Sequence, residues 1–391
     1  MNFEFSKKLK TVCYILIAVG IITVIAGFMS GETVRTWSNL LIDNFLFLAI
    51  AVFGTFFVAL LYLTESAWGV TMKRIPEAMS QFLWVAGVIM LLIFIGGHHY
   101  LYHWTHPELT DPASPRFDAL ITEKSVYLNT PFFLIRMVFI LGIWIFCTHL
   151  LRKYSRRQDD QGWQGYHKKS RFTSAVFMVF FAVTCVVAAW DWLMSLEPHW
   201  YSTIFGWYVF GSLWVSGTAV AILLLVYLKR KNLLPNVNAN HLHDMGKWLF
   251  ALSCMWTYLW FSQFMLIWYA NIPEEAAFYL PRIKHYPELF YGMLFVNFLL
   301  PFLVLMSRDS KRNTVYLVAV AILVFIGHWL DFYVLVMPAT VGEYWSIGWI
   351  EAGILLGFIG GFLFVTFKSL TKASLEVKQH PFLQECVHHH V

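Results

Sequence analysis

Charge is scarce in this chain of 391 residues: Asp, Glu, Lys and Arg make up only 13% of it, about half the ~25% of a soluble domain. That shortage excludes a disordered tail, a nucleic-acid-binding domain and an ordinary cytosolic enzyme. Cysteine is scarce as well. Cys13, Cys147, Cys185, Cys254 and Cys386 contain no CxxC or CxxCH spacing, which leaves this chain without an iron–sulfur cage or a covalent haem of its own. None of the five falls in a loop expected outside the membrane, so no disulfide framework is expected. No small-residue cleavage site follows the first apolar run, which therefore reads as a retained span rather than a signal peptide. The basic segment Arg152–Arg171, with Gly162 and Gly165, lacks a phosphate-loop pattern and reads as a solvated loop.

What is abundant is apolar surface. Hydrophobic residues make up 59% of the chain, with 36 Phe, 18 Trp and 18 Tyr. A helix needs ~20 mostly apolar residues to cross a bilayer. Ten such runs occur, at 11–30, 42–63, 79–103, 130–151, 172–196, 203–228, 247–270, 288–307, 314–337 and 348–368. They are long and continuous, without the alternation of a membrane barrel, so the fold class is all-α and integral to the membrane. With the N-terminus placed inside, 22 of the 28 Lys and Arg fall in inside segments and five (Arg35, Arg116, Lys124, Arg282 and Lys284) fall outside. The positive-inside rule then puts both termini in the cytoplasm. The same distribution accounts for the net charge of +5.

Two stretches recur. Gln81-Phe82-Leu83-Trp84 opens span 3, which exits at Tyr102 to Glu108. Lys247-Trp248-Leu249-Phe250 opens span 7, which exits at Trp268 to Glu274, at a constant offset. Trp190-Asp191-Trp192 ends span 5 with Pro198 beyond it, as Leu330-Asp331-Phe332 ends span 9 with Pro338 beyond it. Span n matches span n+4, a shift that preserves orientation. The expected organisation is therefore a parallel repeat. One four-helix unit covers 42–196 and a second covers 203–337. Peripheral helices lie at 11–30 and 348–368, and a cytoplasmic tail at 369–391.

Ionisable residues inside spans are costly and mark candidate sites. His98, His99 and His103 close span 3, Arg136 lies in span 4, Asp191 in span 5, and Asp43 and Asn44 open span 2. All fall near the outer surface. Histidine and aspartate together supply the acceptors that quinol oxidation needs for its two protons. A thinner second set comprises His328 and Asp331 on span 9 and Glu351 on span 10. Glu65, Tyr62 and His149 are candidates for the inner end of a proton path. Each has a plainer alternative: Arg136 snorkels to headgroups, the three histidines belong to an aromatic interfacial belt, and His328 and Asp331 bond within one helix. A bis-His haem site lacks a second histidine facing His98 or His99. The run His388-His389-His390 is given no role.

Gly96-Gly97-His98-His99-Tyr100-Leu101-Tyr102-His103-Trp104, the stretch from Ala189 to Tyr201, and Gly206-Trp207-Tyr208 carry a resemblance. By these the chain resembles the polysulfide-reductase membrane-subunit (NrfD-like) family, most closely the second such subunit of bacterial alternative complex III. The resemblance implies a subunit of a quinol:cytochrome c oxidoreductase in a bacterial inner membrane. Its partners would be multihaem c-type and iron–sulfur subunits holding all the haem and clusters, a sister NrfD-like subunit, lipids, and a terminal oxidase. The quinol would be of menaquinone or ubiquinone type. In that family the larger sister is usually assigned the quinol site, and the smaller subunit conducts protons or serves as scaffold. Two other functions stay open on the sequence: a secondary transporter and a purely structural anchor.

Overall fold

A computed structural model describes residues 3–389, all of it helix and loop, with no strand among the described residues. Ten helices are long and apolar enough to cross a membrane. We number them α1 (Lys7–Met29), α2 (Thr33–Leu63), α3 (Leu83–Leu101), α4 (Thr130–Gln161), α5 (Gly165–Trp192), α6 (Ile204–Arg230), α7 (Ala239–Ala270), α8 (Pro287–Val304), α9 (Thr314–Thr340) and α10 (Trp349–Leu370). Helix α3 is preceded by a compact helical run from Val70, and together they form one apolar stretch, Val70–Leu101.

Several helices outrun the apolar segments that announced them. Helix α2 begins at Thr33 rather than 42, α7 at Ala239 rather than 247, and α4 continues to Gln161. The segment Arg152–Arg171 is thus not a solvated loop. It is the end of α4, a short link capped by Gly162 in left-handed backbone (φ 66°), and the start of α5. An apolar run ends at the first charges, but a helix continues wherever those charges find partners. Arg74 supplies such a partner, bridging Glu77 and Asp159 in a buried cluster that also holds Ser155.

Helices α2, α3, α4 and α5 pack around one another, as do α6, α7, α8 and α9. Helix α2 is also wedged against α6 and α9, so it sits at the centre and is buried along nearly its whole length. Helix α1 packs almost wholly on α10. Phe3 stacks on Phe367 at 5.3 Å, which places the two chain ends together at one end of the bundle, here called the terminal end. The opposite end is called the far end. Gly20 and Gly357 are the reason α1 and α10 touch backbone to backbone: a Cβ on Gly20 would lie 2.5 Å from the Gly357 Cα. Small residues supply this close packing where lipid removes any hydrophobic drive between helices. Gly357→Val is therefore expected to pry α1 away at a cost of about 1–3 kcal/mol. Faster protease cleavage within residues 1–32 of the detergent-solubilised variant would show it; wild-type protection would refute it.

At the far end, Arg282 is 1% exposed and repairs a proline. Pro338 lies inside α9 and has no N–H for the Val334 carbonyl four residues back. Arg282 Nε donates to Val334 O at 3.1 Å and Nη2 to Leu335 O at 3.0 Å. It also pairs with Glu197 at 2.7 Å and stacks on Phe278 at 3.5 Å. The long far-end loop 104–129 is likewise tied down. Asp118 caps the short helix Ala119–Lys124 and pairs with His199 at 2.6 Å, while Lys124 donates to Pro198 O. Burial raises the Asp118 carboxyl, but the Ile121 N–H and His199 outweigh it and hold the group below its usual range.

At the terminal end the tail 371–389 folds back as a strap. The Lys378 and Gln379 N–H groups reach Asp159, Cys386 Sγ is buried against Thr71 and His241, and His389 pairs with Asp244 at 2.6 Å. His390 of the triple-histidine run lies outside the described residues.

Candidate functional site

Helix geometry sets the depth of each polar group, at about 1.5 Å per residue. Arg136 lies roughly 9 Å from the far-end start of α4, and Asp191 is one residue from the end of α5. The structure joins these two. Arg136 Nε and Nη2 grip both Asp191 oxygens at 2.7 and 3.1 Å, Nη1 donates to Tyr127 O, and the guanidinium lies 3.8 Å over the Tyr127 ring. Burial, then the negative charge of Asp191, raise the Tyr127 phenol. The pair is bidentate and internally satisfied, which suits it to hold α4 against α5.

The histidines do not join it. The His98 and His99 rings lie 4.0 Å apart and tilted, His99 meets His106 at 5.4 Å, and His99 and His103 are exposed. A layer of Phe94 on Phe133, 4.6 Å apart, separates His98 from the Arg136 side. Gly96 and Gly97 belong to packing: a Cβ on Gly97 would lie 2.8 Å from the Trp37 indole. His99 and His103 therefore face outward, with His98 half-buried behind them. No group of three or more His, Cys, Asp or Glu among the described residues converges with metal-ligand geometry.

The deeper polar site is in the second helix group. Asp331 lies roughly 14 Å from the far-end terminus of α9. It is fully buried, and it is held by neutral donors. The Tyr208 hydroxyl donates to Oδ1, Ser212 Oγ to Oδ2 at 2.8 Å, and Trp256 Nε1 to Oδ2 at 3.2 Å and to Ser212 Oγ at 2.9 Å. The nearest titratable group on the same helix is His328, also fully buried, with Nδ1 3.6 Å from Oδ2 and its ring edge-on to Trp256. Neither His328 nitrogen has a hydrogen-bond partner within the described chain. Asn297, with both amide atoms unpartnered, presses on Gly327, where a Cβ would lie 2.1 Å from its Oδ1. It reaches there because α8 carries a π-helical turn, Phe295–Leu299, ahead of Pro301. Such turns recur at functional sites. Towards the far end a cavity of about 10 Å³, room for about one water, is lined by Asp331, Tyr208, Gln263, Tyr279 and Arg282.

Two aspartates in similar sequence settings thus lie at different depths and in opposite surroundings. Asp191 faces an arginine; Asp331 faces a phenol, an alcohol and an indole. An unpaired buried charge costs several kcal/mol, and each orphaned buried polar group costs about 1–3 kcal/mol. A cluster that concentrates both is poor for stability.

A second polar line reaches α9 from its other side. Arg35, Asn39 and Asp43 recur every four residues on α2 and so share one face. Glu351 accepts both guanidinium nitrogens of Arg35 at 2.7 and 2.6 Å, and the Asn39 amide at 2.9 Å. Asp43, roughly 15 Å below the start of α2, accepts from Trp329 Nε1 at 2.7 Å, and its Oδ2 has no partner. The two lines meet at residues 328–331 of α9. Sequence reading singled out Asp43, His328, Asp331 and Glu351 but not Tyr208, Ser212 or Trp256 as partners. The four-residue stripe on α2 was a signal open to it.

At the terminal end the candidates separate. Lys73 donates to the Tyr62 hydroxyl at 3.0 Å, and His167 and His380 pack on the Tyr62 ring. Glu65, in left-handed backbone (φ 49°) just past α2, forms an exposed pair with Arg171 at 2.5 Å. Such a pair contributes little. His149 lies elsewhere, in a basic cleft beside Arg152. Burial, then the charges of Lys73, His167 and Arg74, push His380 down to about 2. Docked, it stays neutral; undocked, it takes up a proton below about 6.5. Acidification from pH 7.5 to 5 is therefore expected to release the strap. Hydrogen-exchange protection across 371–389, corrected for the intrinsic pH dependence of amide exchange, should fall at pH 5, and the fall should vanish in His380→Phe; equal protection at both pH values would contradict it.

No protein-family model matches the chain, and no curated protein matches it.

Proposed function

We propose that this chain is a proton-conducting membrane subunit of a bacterial respiratory complex that oxidises quinol, with electrons carried by partner subunits. The observation that carries the reading is Asp331. It is a carboxyl group deep among spanning helices, bonded to Tyr208, Ser212 and Trp256 and beside an unbonded His328. A group that passes protons needs neutral partners that can re-form bonds around either protonation state. A fixed cation would pin it in one, as Arg136 pins Asp191. The polar line Glu351, Asn39, Asp43 and Trp329 supplies a second approach to the same turn of α9. The quinol itself, of menaquinone or ubiquinone type, has no room beside Asp331, where the cavity admits about one water, and His99 and His103 are exposed with His98 half-buried behind them. In this reading the ring is bound by a sister NrfD-like subunit. The positive-inside rule then places the terminal end in the cytoplasm and the far end in the periplasm, where multihaem c-type and iron–sulfur partners and a terminal oxidase would dock. The two four-helix groups are taken as copies of one unit in which the α5 carboxyl is held by an arginine and its α9 counterpart is not.

The test is purification from native membranes in mild detergent, followed by mass spectrometry and a reduced-minus-oxidised spectrum. Multihaem and iron–sulfur subunits co-purifying with the chain would support the reading; a colourless protein without redox partners would end it. The second outcome favours a secondary transporter. One observation speaks for that alternative: α8 is interrupted by its π turn and Pro301 with Asn297 inside, and transporters place sites on broken helices.

A further inference from the structure

A much larger cavity than the one beside Asp331 lies far from it. It opens at the terminal end between α3, α4 and α10, with a volume of about 860 Å³. Its polar wall carries Arg152, Lys153, Arg156 and Arg157 from α4, Lys368 from α10 and Lys372 just past the end of α10, against the single carboxylate of Asp160. Arg152 is fixed in the floor: it donates to Glu77 O at 3.0 Å and Ser369 O at 2.8 Å. The other five cations form no ion pair among the described residues. Like charges gathered in one cleft repel, so the arrangement gains only when an anion enters. The lower wall is apolar, with Trp84 and Val85 on α3 and Phe364 and Val365 on α10. From Trp84 an exposed stripe continues along α3 through Val88, Leu92 and Ile95, on the surface that lipid covers.

We propose that this cleft binds an anionic phospholipid bearing two phosphates, with the headgroup among the α4 and α10 cations and the acyl chains along the α3 stripe. Five cations outside any ion pair, facing one carboxylate, are more than one phosphate needs. A soluble polyphosphate would have no use for the apolar wall that continues into the bilayer. Basic pockets between spanning helices recognise such headgroups, and the phosphate–guanidinium pairing is bidentate. The site is independent of any reading of Asp331.

Native mass spectrometry of the purified protein, with its endogenous partners, tests this. The wild type is expected to retain a mass matching diphosphatidylglycerol and to melt several degrees higher when that lipid is added. Phosphatidylcholine should give neither effect. R156Q/R157Q/K368Q/K372Q should lower retention at least tenfold. Equal retention of phosphatidylcholine would mean ordinary boundary lipid and overturn the proposal. Pyrophosphate that stabilises as well as the lipid, or displaces it, would assign the cleft to a soluble polyphosphate and also overturn it. If the fourfold variant fails to assemble, the wild-type comparison of the two lipids decides alone.

Discussion

On the proposed function, Asp331→Asn is expected to lower proton-coupled quinol:acceptor turnover of the purified complex by about 10²-fold or more, the scale on which a positioned proton-transfer group acts. The variant should still assemble. Asparagine has nearly the same volume and keeps an oxygen for Tyr208, while Ser212 can turn its hydroxyl to accept from the new amide and still accept from Trp256 Nε1. What is lost is the exchangeable proton. His328→Phe should impair turnover less steeply, because the ring nitrogens form no bond in the resting structure. The measurement is turnover in sealed vesicles with an internal pH dye, alongside a check of subunit composition. Wild-type proton movement in an assembled Asp331→Asn complex would remove Asp331 from the path.

Asp191→Asn should act on folding instead. The Asp191 side chain is 1% exposed and the Arg136 side chain 10%. Removing one partner of such a pair strands the other charge and costs about 3–5 kcal/mol, whereas removing both is often close to neutral. The single variant should therefore melt well below wild type in detergent, and Arg136→Gln/Asp191→Asn should recover most of the loss. A double-mutant cycle on thermal unfolding reads this directly. An Asp191→Asn protein as stable as wild type but with lost turnover would return Asp191 to the catalytic candidates. The two aspartate variants thus separate a structural pair from the proposed proton-exchanging group with the same substitution.

The spanning helices were legible because burial in lipid demands a length of apolar sequence that few other folds contain, and all ten runs correspond to long helices. Their ends were less legible. Arg35 and Asn39 looked like the edge of a loop, yet they are helical because Glu351, more than three hundred residues later, receives both. Likewise Arg282 counted only as an outside charge. Its place inside the protein follows from Pro338, which leaves a carbonyl on a distant helix in need of a donor.

By itself the sequence determined the class of molecule, the number of spans and the inventory of ionisable groups at membrane depth, because those depend on composition along one dimension. It presented Asp191 and Asp331 as twins, each flanked by large apolar residues and followed by a proline. Only the tertiary structure told them apart, by setting Arg136 against one and Tyr208, Ser212 and Trp256 against the other. The behaviour of a buried carboxyl is governed by the groups within a few ångströms of it, and in a helix bundle those groups come from other helices.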